Sequence, residues 1–250
     1  MDVNSEEFVF LMRYFNHGRL ENPRFFRRLG NPDIRNCNIL EVGCGTGSLA
    51  IYMVKELGAG HVLAIDIEKD NIAFAQANLA HNYPELADRI EFQVLNITDQ
   101  SLNGRFDCVV AKDMFEHVLE FRAFFNALFA VLKPGGRLLS GFGPLYESPR
   151  GGHAVTRFPF DHLIFSERYL IDRLNKRHNR NCKTIREYGL NMLKLTDYLS
   201  VFNDSSFRQD YIRMNQSDSF LGKAVSILLK IPFFRWMTFN VYLVFTKPEQ

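Results

Sequence analysis

The chain has 250 residues, 46% of them hydrophobic and 23% charged, a composition that excludes collagen-like, intrinsically disordered and low-complexity proteins. Thirty Lys and Arg against 28 Asp and Glu give a net charge of +2, which excludes the uniform basic field of a general nucleic-acid binder. The four cysteines form no C-x-x-C pair, so we expect free thiols in a reducing compartment.

The chain shows no pattern for export or for crossing a membrane. Its first seven residues are acidic where a secretory signal needs a basic start followed by an apolar run. The most apolar stretch, 224–245, is broken by Lys230, Pro232 and Arg235, so it fails as a spanning helix. We therefore expect a cytoplasmic protein without a transmembrane segment.

The first half of the chain alternates between strand-like and helix-like segments. Apolar residues at helical spacing near the N-terminus predict a helical cap within 1–35. Five short runs rich in Val, Ile and Leu follow, separated by amphipathic segments, which indicates a parallel sheet covered on both faces. The predicted strands are 38–42, 61–66, 90–95, 106–111 and 137–142, and the predicted helices are 48–57, 71–81 and 121–132, the last ending at the Lys-Pro-Gly-Gly sequence 133–136.

The segment 144–190 breaks this alternation. Gly-Pro, Ser-Pro and Gly-Gly pairs crowd its start, which predicts an irregular insertion interrupted by one helix, 166–177. It carries nine basic and five acidic residues, a net +4 that leaves −2 for the rest of the chain. Its position after the fifth strand's carboxyl end predicts a lid over an acceptor-binding site.

Regular structure is predicted again after the insertion. Thr196 is placed to cap a helix that extends to about 202, and strands are predicted at 207–214 and 239–245. The apolar and basic segment 223–235 has two interpretations. It either lies on a membrane surface or, the interpretation favoured here, forms a buried helix that covers the sheet before the last strand.

Three glycines follow the first strand in a strand-to-helix turn. Gly43, Gly45 and Gly47 stand where side chains would block the close approach of a nucleotide-like ligand. Their G-x-G-x-G spacing differs from the dinucleotide fingerprint, and no lysine follows as in a P-loop, which disfavours phosphoryl transfer. Asp66 ends the second strand, where a carboxylate can accept both hydroxyls of a ribose.

Three segments in this order resemble the class I S-adenosylmethionine-dependent methyltransferases, especially the small-molecule, type 11-like group. They are LEVGCGTG at 40–47, FDCVVAKDMFEHV at 106–118 and VLKPGGRLL at 131–139, and the similarity extends over about 36–142. The resemblance implies an α/β domain over 36–250 with a Rossmann-like, seven-stranded, mostly parallel sheet and helices on both faces. The segment 144–190 is then an insertion after the fifth strand.

The resemblance also implies S-adenosylmethionine as cofactor and assigns its contacts by position. The loop backbone faces the methionine portion, Glu41 holds the acidic position before the loop, Asp66 holds the ribose and Ile67 packs on adenine. Where the family commonly presents an acid to the adenine amino group, this chain has Asn96 and Ile97, and Asn96 is expected to accept that hydrogen bond without a charge. The predicted cofactor-binding residues are Glu41, Gly43, Cys44, Gly45, Gly47, Asp66, Ile67, Asn96, Ile97, Lys112, Asp113 and Met114, of which the last three border the sulfonium, with the Lys112 ammonium pointing away from that cation.

Methyl transfer needs alignment more than a dedicated catalytic group, but a histidine base assists a hydroxyl acceptor. We prefer His153, because two glycines before it let the loop turn inward; its alternative is a solvated loop histidine. His162 is the second candidate, with a packing or capping role as its alternative.

His117 is the third candidate. With Asp113 and Glu116 it resembles an acid-x-x-Glu-His arrangement of ubiquinone-biosynthesis O-methyltransferases that can surround a divalent ion. The alternative is that Glu116 and His117 merely open the following helix, and we predict no metal.

The sequence thus predicts a methyltransferase acting on a hydroxyl oxygen of a small acceptor, with no nucleic-acid partner, and the +4 charge of the insertion predicts that this acceptor is anionic. A non-catalytic cofactor-binding or interaction protein, and a methyltransferase of RNA, protein or lipid, are the alternatives. The sequence leaves the acceptor's identity and the oligomeric state open.

Overall fold

The computed structural model describes residues 1–152, 158–178 and 180–249. They form one seven-stranded sheet in the order β3-β2-β1-β4-β5-β7-β6, in which the first five strands run parallel and β7 pairs antiparallel with both β5 and β6. This confirms the predicted Rossmann-like α/β class. The strands are β1 Asn38–Val42, β2 His61–Asp66, β3 Ile90–Val94, β4 Phe106–Lys112, β5 Leu132–Phe142, β6 Arg208–Met214 and β7 Val241–Thr246.

Helices cover both faces of this sheet. They are α1 Glu6–Arg28, α2 Ser48–Lys55, α3 Lys69–Asn82, α4 Phe121–Val131, α5 Asp161–Ile164, α6 Glu167–His178, α7 Leu195–Asp204 and α8 Phe220–Leu228. Short 3₁₀ turns occur at Pro84–Leu86, Gln100–Leu102, Phe115–His117 and Pro232–Met237. None of the helices in these described ranges is long and apolar enough to cross a membrane.

The N-terminal helix shares the main core instead of standing apart from it. Ser5 caps α1 by accepting a hydrogen bond from the Phe8 backbone N–H. The Phe8 ring packs 4.7 Å from Phe74 of α3, and Phe25 packs 6.3 Å from Tyr242 of β7. α1 therefore covers one face of the sheet together with α2 and α3, while α4 and α7 cover the other.

Two local predictions are wrong. The fifth strand begins at Leu132, five residues before its predicted start, so the Lys-Pro-Gly-Gly sequence lies in the strand, although α4 ends at Val131, one residue from its predicted end. Leu132 pairs with Phe106, and the register shifts before Cys108. The glycines there permit this irregular start, since Gly135 has a φ of 76°. α7 begins at Leu195, one residue before the predicted Thr196 cap.

The insertion 144–190 contains more regular structure than its glycines and prolines predict. α5 and α6 lie within it, and a small core of its own stabilises it. The buried residues of that core are Leu170, Ile171, Leu174, Ile185 and Leu190. The apolar spacing within α6 carries this core, while its basic side chains remain exposed. The role of the insertion as a lid stays a prediction.

The favoured interpretation of the segment 223–235 is also wrong. It forms the second half of α8 and the 3₁₀ turn Pro232–Met237, but most of its side chains are exposed. Both faces of β7 are already covered, because Tyr242 contacts Phe25 of α1 and Phe245 lies 5.4 Å from Phe202 of α7. β7 therefore does not need α8 as a cover.

Candidate active site

A cleft of about 610 Å³ lies at the carboxyl ends of the parallel strands. Ligands of open α/β sheets bind at this edge, and the volume suits a small molecule. Six of the twelve predicted cofactor-binding residues line the cleft: Gly43, Asp66, Ile67, Asn96, Ile97 and Met114.

The glycine loop is held in place by backbone hydrogen bonds. The N–H groups of Gly43 and Cys44 both donate to the Ile65 carbonyl oxygen, at 2.8 and 3.1 Å. All three glycines have positive φ angles, 72° at Gly43, 50° at Gly45 and 76° at Gly47, a region that side chains disfavour. The loop therefore presents bare backbone, and the Cys44 side chain is buried beneath it.

The glycines differ in what surrounds them. A Cβ on Gly47 would lie 2.5 Å from the Phe92 ring, and one on Gly43 would lie 2.7 Å from Met114 Sδ. A Cβ on Gly45 would meet no described atom within 4 Å. Gly47 is thus needed for packing, whereas Gly45 borders open space.

Asp66 joins this loop to the end of β2. Its Oδ2 accepts a hydrogen bond from the Gly45 N–H at 2.8 Å, and its Oδ1 accepts one from the Glu68 N–H at 2.9 Å. A carboxylate oxygen has more than one lone pair, so each oxygen can accept a further hydrogen bond from a ligand hydroxyl. The half-buried carboxylate lines the cleft, as a ribose-binding group must.

The next residues form the outer wall of the cleft. Ile67 is 65% exposed and offers an apolar surface, while Ile97 is buried in the core behind the wall. Asn96 Oδ1 accepts hydrogen bonds from both the N–H and the hydroxyl of Thr98, at 3.1 and 3.0 Å. These two donors occupy its lone pairs. In this arrangement the Asn96 NH₂ group is the one directed to donate, and the expectation that Asn96 accepts a hydrogen bond from the ligand stays a prediction.

Two buried carboxyl groups support the ends of β1 and β4. Glu41 is 3% exposed and its Oε2 has no hydrogen-bond partner in the described chain. Burial raises the pKa of Glu41 to about 8, although the Lys112 ammonium partly offsets this effect. Lys112 Nζ also lies 3.3 Å from Asp113 Oδ2, so this ammonium is directed at carboxylates and is not among the residues that line the cleft.

Glu116, the second buried carboxyl group, stands out in the sequence only as a possible metal ligand. Its Oε1 accepts a hydrogen bond from the Gly143 N–H at 3.0 Å, which ties the turn after β4 to the end of β5. Burial raises the pKa of Glu116 to about 8, and the nearby Asp113 charge adds to the shift.

Asn191 supports the same turn from a distant part of the chain. Its side-chain NH₂ donates to the Phe115 and Val118 carbonyl oxygens at 2.7 and 3.0 Å. Sequence reasoning misses this residue, because a separation of 73 or more positions gives no signal of the contact.

A second cavity, of about 480 Å³, lies beside the first at the ends of β4 and β5. Its walls are mostly apolar and include Phe142, Pro144 and Leu228. Asp113 lines this cavity, whereas its neighbour Met114 lines the first. Asp113 turns outward because its backbone is left-handed, with a φ of 51°. The end of β4 thus stands between the two cavities.

Comparisons with known proteins agree on the family of this core. A family model described as a methyltransferase domain matches residues 40–138. Residues 40–138 are therefore similar to a methyltransferase domain. The resemblance of its three sequence segments to that family is confirmed.

The curated relatives match over a limited part of their length. The human mitochondrial ubiquinone biosynthesis O-methyltransferase is 39% identical over 102 residues, which cover 40% of this chain and 27% of the relative. The ubiquinone biosynthesis O-methyltransferase of Neisseria meningitidis serogroup C is 31% identical over 144 residues, which cover 57% of this chain and 55% of that protein. The chain therefore spans about half, or less, of these relatives.

Solved structures share the fold at low sequence identity. A geranyl diphosphate methyltransferase in complex with SAM has a TM-score of 0.56 and 14% identity, covering 92% of this chain and 85% of that one. The [4+2]-cyclase SpnF has a TM-score of 0.59 and 15% identity, covering 93% and 81%. A methyltransferase and a cyclase thus share this architecture, so the fold alone does not decide the reaction.

The three candidate histidines of the methyltransferase domain have different surroundings. His117 lines the first cleft, and its Nδ1 lies 2.7 Å from the Gly189 carbonyl oxygen. The buried ring of His162 has Asp161 Oδ1 3.3 Å from its Nδ1 and the Tyr146 carbonyl oxygen against its Nε2. These contacts favour the packing role for His162. His153 lies outside the described residues.

The possible metal ligands Asp113, Glu116 and His117 do not converge. Asp113 faces the second cavity, Glu116 contacts Gly143 and His117 contacts Gly189. Within the described part of the chain, no three His, Cys, Asp or Glu residues are grouped as metal ligands.

Proposed function

We propose that this chain is an S-adenosylmethionine-dependent methyltransferase that methylates a hydroxyl oxygen of a small, largely apolar acceptor. One observation carries the proposal. Inside a methyltransferase domain, the bare backbone of the glycine loop is hydrogen-bonded to Asp66 beside a cleft of about 610 Å³. The names of the two ubiquinone biosynthesis relatives support oxygen as the acceptor atom.

The residues of the cleft fit the cofactor in both shape and chemistry. Asp66 supplies acceptors for the ribose hydroxyls, Ile67 an apolar face for adenine, and Asn96 a donor for a ring nitrogen. The open space at Gly45 admits the methionine portion close to the backbone. When bound, the cofactor supplies an activated methyl group on a sulfonium, and Met114 stands at the side of the cleft nearest the second cavity.

The second cavity is the proposed acceptor site. Its apolar walls suit an apolar molecule, and Asp113 and Arg150 place one carboxylate and one exposed guanidinium at its edge. Arg28 also lines this cavity, but its guanidinium is paired with Asp218. Other basic residues of the insertion lie elsewhere: Arg173, Lys176 and Arg177 line a separate cavity on α6. The +4 charge of the insertion is therefore not concentrated at the second cavity. We propose an acceptor with at most one anionic group, which would pair with Arg150.

The protein's own contribution to the reaction is alignment and proton removal. The end of β4 lies between the two cavities, so a cofactor in one and an acceptor in the other are held side by side. The methyl group and the acceptor oxygen can then be aligned for in-line transfer. His153 remains our first proposal for the base. Asp113 is a second proposal, because its carboxylate already lines the acceptor cavity.

The test is a screen of the full chain with methyl-labelled S-adenosylmethionine against pools of hydroxyl-bearing metabolites, graded from polar to apolar. We expect label in a methyl ether and stoichiometric release of S-adenosylhomocysteine, strongest in apolar pools. Asp66→Ala run in parallel identifies turnover that depends on this cleft. Cofactor binding without transfer to any pool would favour the non-catalytic alternative, and label on amine nitrogen would exclude the proposed acceptor atom.

A further inference from the structure

An apolar surface is exposed on α8 and the 3₁₀ turn that follows it. Ile227 is 67% exposed and Phe233 is 75% exposed, and Leu228, Ile231 and Trp236 are also exposed. Isolated exposed apolar side chains are ordinary, but a group of them on consecutive turns marks an interaction surface. We call this surface, together with the exposed residues 163–165 of the insertion, the apolar face.

The insertion extends the apolar face from a distant part of the sequence. The Phe160 ring lies 6.1 Å from the Trp236 ring, which brings α5 beside the 3₁₀ turn. Leu163, Ile164 and Phe165, at and after the end of α5, are exposed, Ile164 by 70%. Two segments about 70 residues apart in the chain therefore expose apolar side chains in one neighbourhood.

The charged side chains on the 219–248 part of the apolar face have one sign. Between residues 219 and 248 the sequence contains no Asp or Glu, while Lys223, Lys230 and Arg235 are all exposed. The ion pairs found in the described chain include none of these three residues. Apolar side chains bordered by these cations complement a surface that has an apolar interior and an anionic outer layer.

We propose that the apolar face docks onto the surface of an anionic lipid bilayer, with α8 and the 3₁₀ turn lying in the headgroup region. A short helix with apolar side chains and lysines binds a membrane interface in this way. Two copies of the chain would bring like charges together, which disfavours the apolar face as a contact between copies.

Docking in this orientation places the second cavity at the bilayer. Val225 and Leu228 belong to α8 and also line that cavity, together with Met237 of the 3₁₀ turn. An acceptor dissolved in the bilayer would therefore reach the cavity without crossing water. This last step rests on the proposed function, whereas the docking itself does not.

The test is co-sedimentation of the full chain with phosphatidylcholine vesicles, with and without about 30% phosphatidylglycerol. We expect binding to the anionic vesicles that falls at least about tenfold in I227S/F233S and in K230E/R235E, and that weakens in roughly 0.5 M salt. The matched control is F10S/L20S, because these two side chains are equally exposed, 65% and 70%, but lie on α1. The control should bind within about twofold of the unaltered protein.

Several outcomes would overturn the docking proposal. They are equal sedimentation with neutral and anionic vesicles, an equal loss in F10S/L20S, and a dimer in sedimentation velocity that only the I227S/F233S change dissolves. S-adenosylhomocysteine binding is measured on every variant. A variant that loses vesicle binding but keeps S-adenosylhomocysteine binding shows that docking is independent of the cofactor site. Vesicle binding by a protein that does not bind S-adenosylhomocysteine would remove the proposed function and leave the docking proposal standing.

Discussion

The first cleft and the second cavity, which we propose as the cofactor site and the acceptor cavity, are built in different ways. The cleft is formed by strand ends and one glycine loop, all within residues 42–124 apart from three insertion residues at its rim. The acceptor cavity combines α1, the end of β5, the insertion and α8, from Arg28 to Tyr242. The first depends on backbone geometry that local sequence encodes, and the second on packing between distant segments. The cleft is therefore the part whose ligand can be inferred, and the acceptor cavity is the part that experiment must define.

The largest expected effect is at Gly45. Gly45→Val should reduce cofactor binding at least about 1,000-fold, because the new side chain enters open space beside Asp66. The matched control is Gly104→Val, since Gly104 also has a positive φ, 66°, and a Cβ there would meet no described atom within 4 Å. Both variants incur a backbone penalty of about 1–2 kcal/mol.

Calorimetry with S-adenosylhomocysteine checks this pair. Gly104→Val should bind like the unaltered protein, with a comparable loss of melting temperature in both variants. Equal binding by the two folded variants would remove the glycine loop from the cofactor site.

The second prediction distinguishes two histidines of the insertion. His153→Ala should lower kcat about 100- to 10,000-fold with unchanged cofactor affinity, the usual cost of losing a general base. His162→Ala should mainly lower the melting temperature, because its ring is buried between Asp161 and the Tyr146 carbonyl oxygen. Single-turnover rates measured on both variants distinguish a catalytic base from a packing residue. A His153→Ala rate within a few fold of normal would shift the base assignment to Asp113 or His117.

A smaller effect is expected at Asp66. Asp66→Ala should weaken cofactor binding about 10- to 150-fold, or about 1.5–3 kcal/mol, as expected for hydrogen bonds to a charged group. Asp99→Ala is the control, since Asp99 is an exposed loop carboxylate that accepts a hydrogen bond from the Ser101 N–H. Titration with adenosine tests the role further, because adenosine retains the ribose and should lose affinity to a similar extent. Unchanged adenosine binding would reject the ribose contact.

The smallest expected effect concerns the pH dependence of stability. Burial raises the pKa of Glu116 from 4.5 to about 8, so between these values the folded chain keeps a proton that the unfolded chain loses. Stability from this group is complete below pH 4.5 and falls as the pH rises to about 8. The slope is at most about 1.4 kcal/mol per pH unit for each such group.

Urea unfolding at about pH 5.5 and about pH 7.5, both inside that window, measures the slope. Glu116→Gln should reduce the loss of stability between the two pH values, leaving the part due to Glu41, whose pKa is also about 8. Glu85→Gln, at an exposed position, should leave the slope unchanged. A slope that Glu116→Gln does not alter would mean that Glu116 is ionised in the folded chain.

The contrast between the two regions also explains what the sequence can predict. The predicted bounds of β1 and β2 match the observed ones, because buried parallel strands are short apolar runs. The sequence predicts that Asp66 lies at the cleft, because the position of Asp66 at the end of β2 follows from strand order. The contact between Asn191 and the 115–118 turn cannot be predicted, since it depends on how the insertion folds back.

Local composition misleads in the second region for physical reasons. The apolar segment 223–235 predicts burial, but α1 and α7 already cover β7. The +4 charge of the insertion predicts an anionic acceptor, yet α6 directs three of its cations to a separate cavity. The composition of a segment does not determine whether its side chains are buried or which cavity they line, because both depend on tertiary packing.

A crystal structure of the chain with S-adenosylhomocysteine tests the central claim most directly. We expect the product in the cleft, with both ribose hydroxyls hydrogen-bonded to the Asp66 carboxylate, adenine against Ile67 and the sulfur beside Met114. Product bound away from Asp66 and the glycine loop, or no bound product at saturating concentration, would contradict it.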